Sequence, residues 1–152
     1  MRRRLGLRAA LAAVAAVIVF TPASAFATVT LTTPAVRCSL TANLAVLSKT
    51  KQLTGSASVS CIASSATNVT VTVQVVELDG TVIDRMGNVF FVSSGRALTA
   101  STKAVAWTVT TPAKACVSAD GTGLEDYYVI ASISNGSARV EEMIGRIDGW
   151  NC

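Results

Sequence analysis

Hydrophobic and polar residues alternate along most of the chain beyond residue 27, and the alternation is strictest between Val36 and Ala63. Val36, Cys38, Leu40, Ala42, Leu44 and Val46 form one apolar set, and Leu53, Gly55, Ala57, Val59, Cys61 and Ala63 form another. A period of two marks a half-buried strand. Folding the stretch around Lys49 and Thr50, so that facing residue numbers add to 99, sets Val36 against Ala63, Cys38 against Cys61, Leu40 against Val59, Ala42 against Ala57 and Val46 against Leu53. Leu44 then meets Gly55, the one partner without a side chain. Arg37, Ser39, Thr41, Asn43, Ser56, Ser58 and Ser60 collect on the opposite face. A slip of one residue would mix the two faces. Directly opposed strand cysteines come within disulfide reach, so this register predicts an antiparallel pair closed by a Cys38–Cys61 bond. The alternative is that the two strands lie in facing sheets, with the cysteines bridging them.

The remainder reads as further short strands. Thr28–Thr33 ends at Pro34 and predicts an edge strand. In Asn68–Glu77, Val69, Val71, Val73 and Val75 share a face, after which Val76 and Leu78 continue in the opposite phase; a β-bulge near Val75-Val76 would produce that shift. Asp79-Gly80 signals a hairpin turn into Thr81-Val82-Ile83. A strand at Val89–Val92 is followed by an expected loop at Ser93-Ser94-Gly95-Arg96. Val105, Trp107 and Val109 line one side of a strand closed by Pro112. A last hairpin turns at Asn135-Gly136, with facing numbers adding to 271. It puts Tyr127, Val129, Ala131 and Ile133 on one face with Ala138, Val140 and Ile144; Glu142 is the discordant member, expected at the rim.

No segment beyond residue 27 has helical periodicity. Seven to nine short strands joined by Gly, Asn and Asp turns predict an all-β antiparallel sandwich, and the phase shift and long loops favour an immunoglobulin-like Greek key over an even barrel. Glu125-Asp126-Tyr127-Tyr128 resembles the acidic-Tyr-Tyr sequence at the start of strand F in immunoglobulin domains. It covers four residues, and the cysteine that follows in that family is absent here.

Residues 1–27 read differently. Arg2, Arg3, Arg4 and Arg8 form a basic head, Ala9–Phe20 is unbroken apolar, and Pro22 precedes small-residue cleavage sites at Ala25 and Ala27. That order is a secretory signal peptide, and its apolar run is too short to span a bilayer. The expected mature chain, residues 28–152, is one secreted domain of bacterial type with no membrane attachment. Of 13 basic and 9 acidic residues, the four head arginines account for the whole excess, leaving nine of each sign. A chain without net charge or a basic cluster points away from nucleic acid.

Four cysteines in an exported chain predict two disulfides. If Cys38 pairs with Cys61, Cys116 pairs with Cys152 and ties down the last residue. The rival Cys61–Cys116 pairing has an immunoglobulin-like separation, but no Trp follows Cys61 at that family's spacing.

The chain contains no histidine, which removes Ser-His-Asp and Cys-His catalysis, and oxidised cysteines leave no thiol nucleophile. Carboxylates remain. Glu125-Asp126 and Glu141-Glu142 are sequence neighbours whose side chains point to opposite faces of a strand, and the hydrolase reading needs the final hairpin to bring Glu125 and Glu142 to one end as a pair. The oxygen-rich segment from Ser118 to Asp126 matches no full calcium ligand set. Neither a metal nor a cofactor is therefore expected. Lys114, between Pro112 and Cys116, has the setting of a braced protease-inhibitor loop. Of Phe90 and Phe91, one must face outward, and an exposed Phe marks a partner surface. The leading expectation is a secreted, non-catalytic binding or cell-envelope module with a protein or glycan partner. The alternatives are the Lys114 inhibitor and the small carboxylate hydrolase.

Overall fold

A computed structural model describes residues 28–47, 49–79, 82–84, 90–115 and 124–151. Residues 1–27, with the expected signal peptide, and both Cys116 and Cys152 lie outside the described residues, as does most of the Ser118–Asp126 segment. Ten strands are described, all antiparallel. They are β1 (Thr28–Thr32), β2 (Val36–Leu47), β3 (Gln52–Ala63), β4 (Thr67–Asp79), β5 (Val82–Asp84), β6 (Phe90–Leu98), β7 (Val105–Thr110), β8 (Lys114–Ala115), β9 (Leu124–Ser134) and β10 (Arg139–Asn151). They form two sheets. Sheet A runs β1-β2-β3-β7, with the two-residue β8 also on β3; sheet B runs β10-β9-β4-β5, with β6 also on β4.

The β2–β3 hairpin has the register read from the alternation at every position, from Val36 opposite Ala63 to Leu47 opposite Gln52. Its apolar set is buried and its hydroxyl set faces out. Cys38 and Cys61 stand opposite each other, 4.1 Å apart at Cα, and are joined by a disulfide. The bond therefore lies within sheet A and does not bridge the sandwich. Lys51, with φ at 48°, supplies the left-handed residue of the turn. β1 adds along β2 as an edge strand, with Val29 opposite Leu40 and Leu31 opposite Cys38.

The two sheets stack face to face, β2 over β9 and β10, β3 over β4, and β7 over β4 and β6. One continuous core fills the space between them. Sheet A contributes Leu31, Leu40, Leu53 and Val59, and sheet B contributes Val69, Val71, Val73, Val75, Tyr127, Val129 and Ile133. Two polar devices tie the layers. Asn135 Nδ2 donates to Thr33 Oγ1 at 3.1 Å, joining the β9–β10 turn to the β1–β2 turn. On the flank, the Arg96 guanidinium of β6 lies over the Trp107 ring of β7, 5.3 Å from its centroid.

Gly55 explains its own lack of a side chain. A methyl there would stand 2.7 Å from Val75 Cγ2 of the opposite sheet. Its backbone is held by Thr111, which is buried: Gly55 N–H donates to Thr111 Oγ1 at 2.9 Å, and Thr111 N–H donates to the Gly55 carbonyl at 2.9 Å.

Four local expectations are corrected. No bulge interrupts β4 at Val75-Val76, since its pairing with β9 is continuous from Thr70 opposite Ser134 to Leu78 opposite Asp126. Parity is kept, so Val76 turns to the outer face and Glu77 to the inner one, and both are buried. Asp79 stays within strand pairing, opposite Val82. The Ser93–Arg96 stretch is strand, because β4 offers it a full ladder, with Ser93 opposite Thr72 and Gly95 opposite Thr70; a neighbour's hydrogen bonds outweigh local propensity. The last hairpin is shifted by two residues, with facing numbers adding to 273 next to the turn. Gly136, with φ at 85°, occupies the first central turn position, and Asn135 pairs with Ala138 through its backbone N–H and through Oδ1, which accepts from Ala138 N–H at 3.0 Å. Because the shift is even, Val129, Ala131 and Ile133 keep their face.

Candidate functional site

The carboxylates are scattered. In the β9–β10 register Glu125 stands opposite Trp150 and Glu142 opposite Ala131. Six residues of β9 thus separate the two positions, about 20 Å along a strand, well beyond the separation of a glycosidase pair. Their side chains lie outside those described. Glu141 pairs with Arg139 on its own strand. Glu77, missed from the sequence, is 1% exposed and stands opposite Tyr127 and Asp84. The signal for it was the same phase shift at Val75-Val76, read with unbroken parity. Among the described residues no three of His, Cys, Asp or Glu converge as a metal-binding group, and no helix is long and apolar enough to cross a membrane.

Lys114 is exposed, and its backbone pairs with Leu53 as part of β8. The residue that the inhibitor reading needs on a protruding loop is thus held along sheet A. A shallow open depression of about 320 Å³ lies beside the last turn, lined by Ser134, Gly136, Ser137, Ala138 and Arg139.

The two outer faces differ sharply. On sheet A, cross-strand rows such as Thr28-Thr41-Ser58-Thr108 and Thr30-Ser39-Ser60-Ala106 present hydroxyls almost throughout. Arg37 is the sole charged side chain among the described strand residues of that face. Leu47 and Ile62, each 44% exposed, are its large apolar members among the described residues.

Sheet B carries an apolar row. Its registers align Met143 of β10, Ile130 of β9, Gln74 of β4 and Phe91 of β6 in one line across the outer face. Ile130 is buried, whereas Met143 is 37% and Phe91 64% exposed. The next row, Glu141-Ser132-Thr72-Ser93, is polar, and Thr72 Oγ1 donates to Ser93 Oγ at 3.2 Å. The outward Phe of the adjacent pair is therefore Phe91. Phe90 stands opposite Val75 in the register, and its side chain lies outside those described. Alternation alone requires only that one of the two phenylalanines face outward, and the register with β4 makes it Phe91; Met143 joins it only through the observed register, since the expected one would have put Met143 opposite Tyr128.

No protein-family model matches the chain, and no curated protein matches it. Among solved structures, the chain is similar to a Bordetella pertussis protein provisionally named ApaA, at 11% identity over 76% of this chain and 93% of that one, with a TM-score of 0.31. That likeness carries no argument about fold or activity.

Proposed function

We propose that this chain is a secreted, non-catalytic binding module of immunoglobulin-like topology, which holds a protein or glycan partner outside the cell or in its envelope. The observation that carries the reading is the Met143-Ile130-Gln74-Phe91 row, an apolar line on an outer sheet face whose two ends are open to solvent. An exposed aromatic beside a thioether, bordered by hydroxyl residues, has the anatomy of a contact patch with a polar rim. The topology is supported by strand order: β2-β3-β7 against β10-β9-β4 follows the A-B-E and G-F-C arrangement of immunoglobulin sandwiches. The Cys38–Cys61 disulfide suits an oxidising compartment, in line with the signal-like residues 1–27. The absence of histidine from the whole chain supports the non-catalytic part.

The test is capture from culture supernatant and envelope fractions of the producing cells, using immobilised residues 28–152 and a Phe91→Ser/Met143→Ser variant of equal stability. A partner retained by the parent and lost by the variant is the expected result. Equal retention by both proteins, or retention of nothing, overturns the proposal.

A further inference from the structure

A β-sandwich has four lateral edges, and three of those described here are protected. β1 is five residues long and ends before Pro34; β7 and β8 are six and two residues long, with Pro112 between them. β10 is long, but its pairing shifts between Ile144 and Arg146 and again between Ile147 and Trp150, and it carries Arg139 and Glu141. Short strands, prolines, bulges and charges are the devices that keep sheet edges from pairing with other chains.

β6 has neither the shortness, the proline nor the bulge. It is nine residues long, contains no proline, and pairs with β4 without a register shift; among the described residues no strand covers its other edge. Its one charge, Arg96, is turned toward Trp107 and does not guard the edge. The outer face of this strand also carries a projection and a gap. Phe91 is 64% exposed, and at Gly95 an added Cβ would find only Thr70 Oγ1, at 4.0 Å. Among the described residues nothing needs Gly95 to be small. The two positions are four residues apart on the same face, with Ser93 midway.

We propose that the β6 edge receives a second copy of this chain, β6 pairing antiparallel with its twofold mate about Ser93. This deepens the reading of the Phe91 surface as a contact surface and rests on it. In this register Phe91 of each copy stands opposite Gly95 of the other and covers its bare backbone, an aromatic–glycine pairing known to stabilise sheet edges. Ser93 faces its own mate. The strands exchange backbone hydrogen bonds, and sheet B becomes continuous through both molecules. A projection and a gap related by a twofold axis on one strand are self-complementary, which is the condition for an isologous dimer and is not required of an edge that receives a foreign peptide.

Sedimentation equilibrium of residues 28–152 should show a concentration-dependent dimer, weakened at least about tenfold by Phe91→Lys, a change at an exposed anchor position. Under mild oxidation Ser93→Cys should yield a covalent dimer, because directly opposed strand residues lie within disulfide reach, whereas Ala97→Cys on the same face should not. Circular dichroism confirms that each variant is folded. A parent that stays monomeric up to millimolar concentration overturns the dimer, as does a dimer indifferent to Phe91→Lys or cross-linked equally by both cysteines. If the monomeric parent still captures a partner that the Phe91→Ser/Met143→Ser variant loses, the dimer fails while the binding function stands.

Discussion

Replacing Gly55 with alanine tests how closely the two sheets approach. Gly55 has no left-handed φ, so its backbone accepts an alanine, and restricting the unfolded chain would by itself favour folding by about 0.4–1 kcal/mol. The contacts oppose this. The added methyl would lie 2.7 Å from Val75 Cγ2, 3.3 Å from Val129 Cγ2 and 3.4 Å from Val73 Cγ1. Carbon atoms prefer roughly 3.5–4.0 Å, so the nearest methyl must retreat by about 1 Å. All three valines are fully buried, and their β-branched side chains have little rotamer freedom to yield. Overpacking of this kind costs about 1–3 kcal/mol, which leaves Gly55→Ala destabilised by about 1–2 kcal/mol after the entropic gain. Val75→Ala alone should cost about 1.5–3 kcal/mol through lost burial and a cavity. In the double variant the new methyl occupies space that Val75 has vacated, so its loss should fall at least about 1 kcal/mol short of the sum of the single losses. Urea unfolding of residues 28–152, followed by tryptophan fluorescence, measures all four proteins, and thermal midpoints should move by about 3–5 °C per kcal/mol. A Gly55→Ala protein as stable as the parent, or strictly additive losses, refutes the close approach of the sheets at this point.

Other perturbations give further checks. The Cys38–Cys61 loop spans 23 residues, so replacing both cysteines with alanine should cost about 3.4 kcal/mol by the chain-entropy relation; an unchanged urea midpoint, or an unreduced peptide map linking Cys38 to Cys116 or Cys152, would count against the hairpin. Thr111→Val leaves the buried Gly55 N–H without its 2.9 Å acceptor and should cost about 1–3 kcal/mol; a neutral result in the same urea assay would show that the clamp is dispensable. Arg96→Ala removes the cation above Trp107, with an expected loss of about 0.5–1 kcal/mol and a shift in tryptophan emission; identical spectra would mean that the stacking is not maintained in solution. At a concentration low enough to keep the chain monomeric, Phe91→Ser, at a 64% exposed position, should leave stability within about 0.5 kcal/mol, and a larger drop in thermal midpoint there would place Phe91 in the fold instead of on a contact surface.

Period-two alternation determined a great deal here. It marked which residues of β2, β3, β7 and β9, and of β4 as far as Val75, face the core, and it set the whole β2–β3 register and its disulfide, because that pairing is local and closes through a short turn. It also required one of Phe90 and Phe91 to face outward. The tertiary structure alone decided that Ser93–Arg96 is strand, that Glu77 points inward, that the last turn centres on Gly136-Ser137, and that Met143 lines up with Phe91. Each of these depends on a ladder partner remote in sequence or on a turn whose centre moves by one residue without changing either face. Side-chain parity is written into the chain residue by residue. Which strand lies alongside, and at what offset, is settled only when sheets stacked at the usual spacing of about 10 Å must fill one core, as the methyls of Val73, Val75 and Val129 fill the space above Gly55.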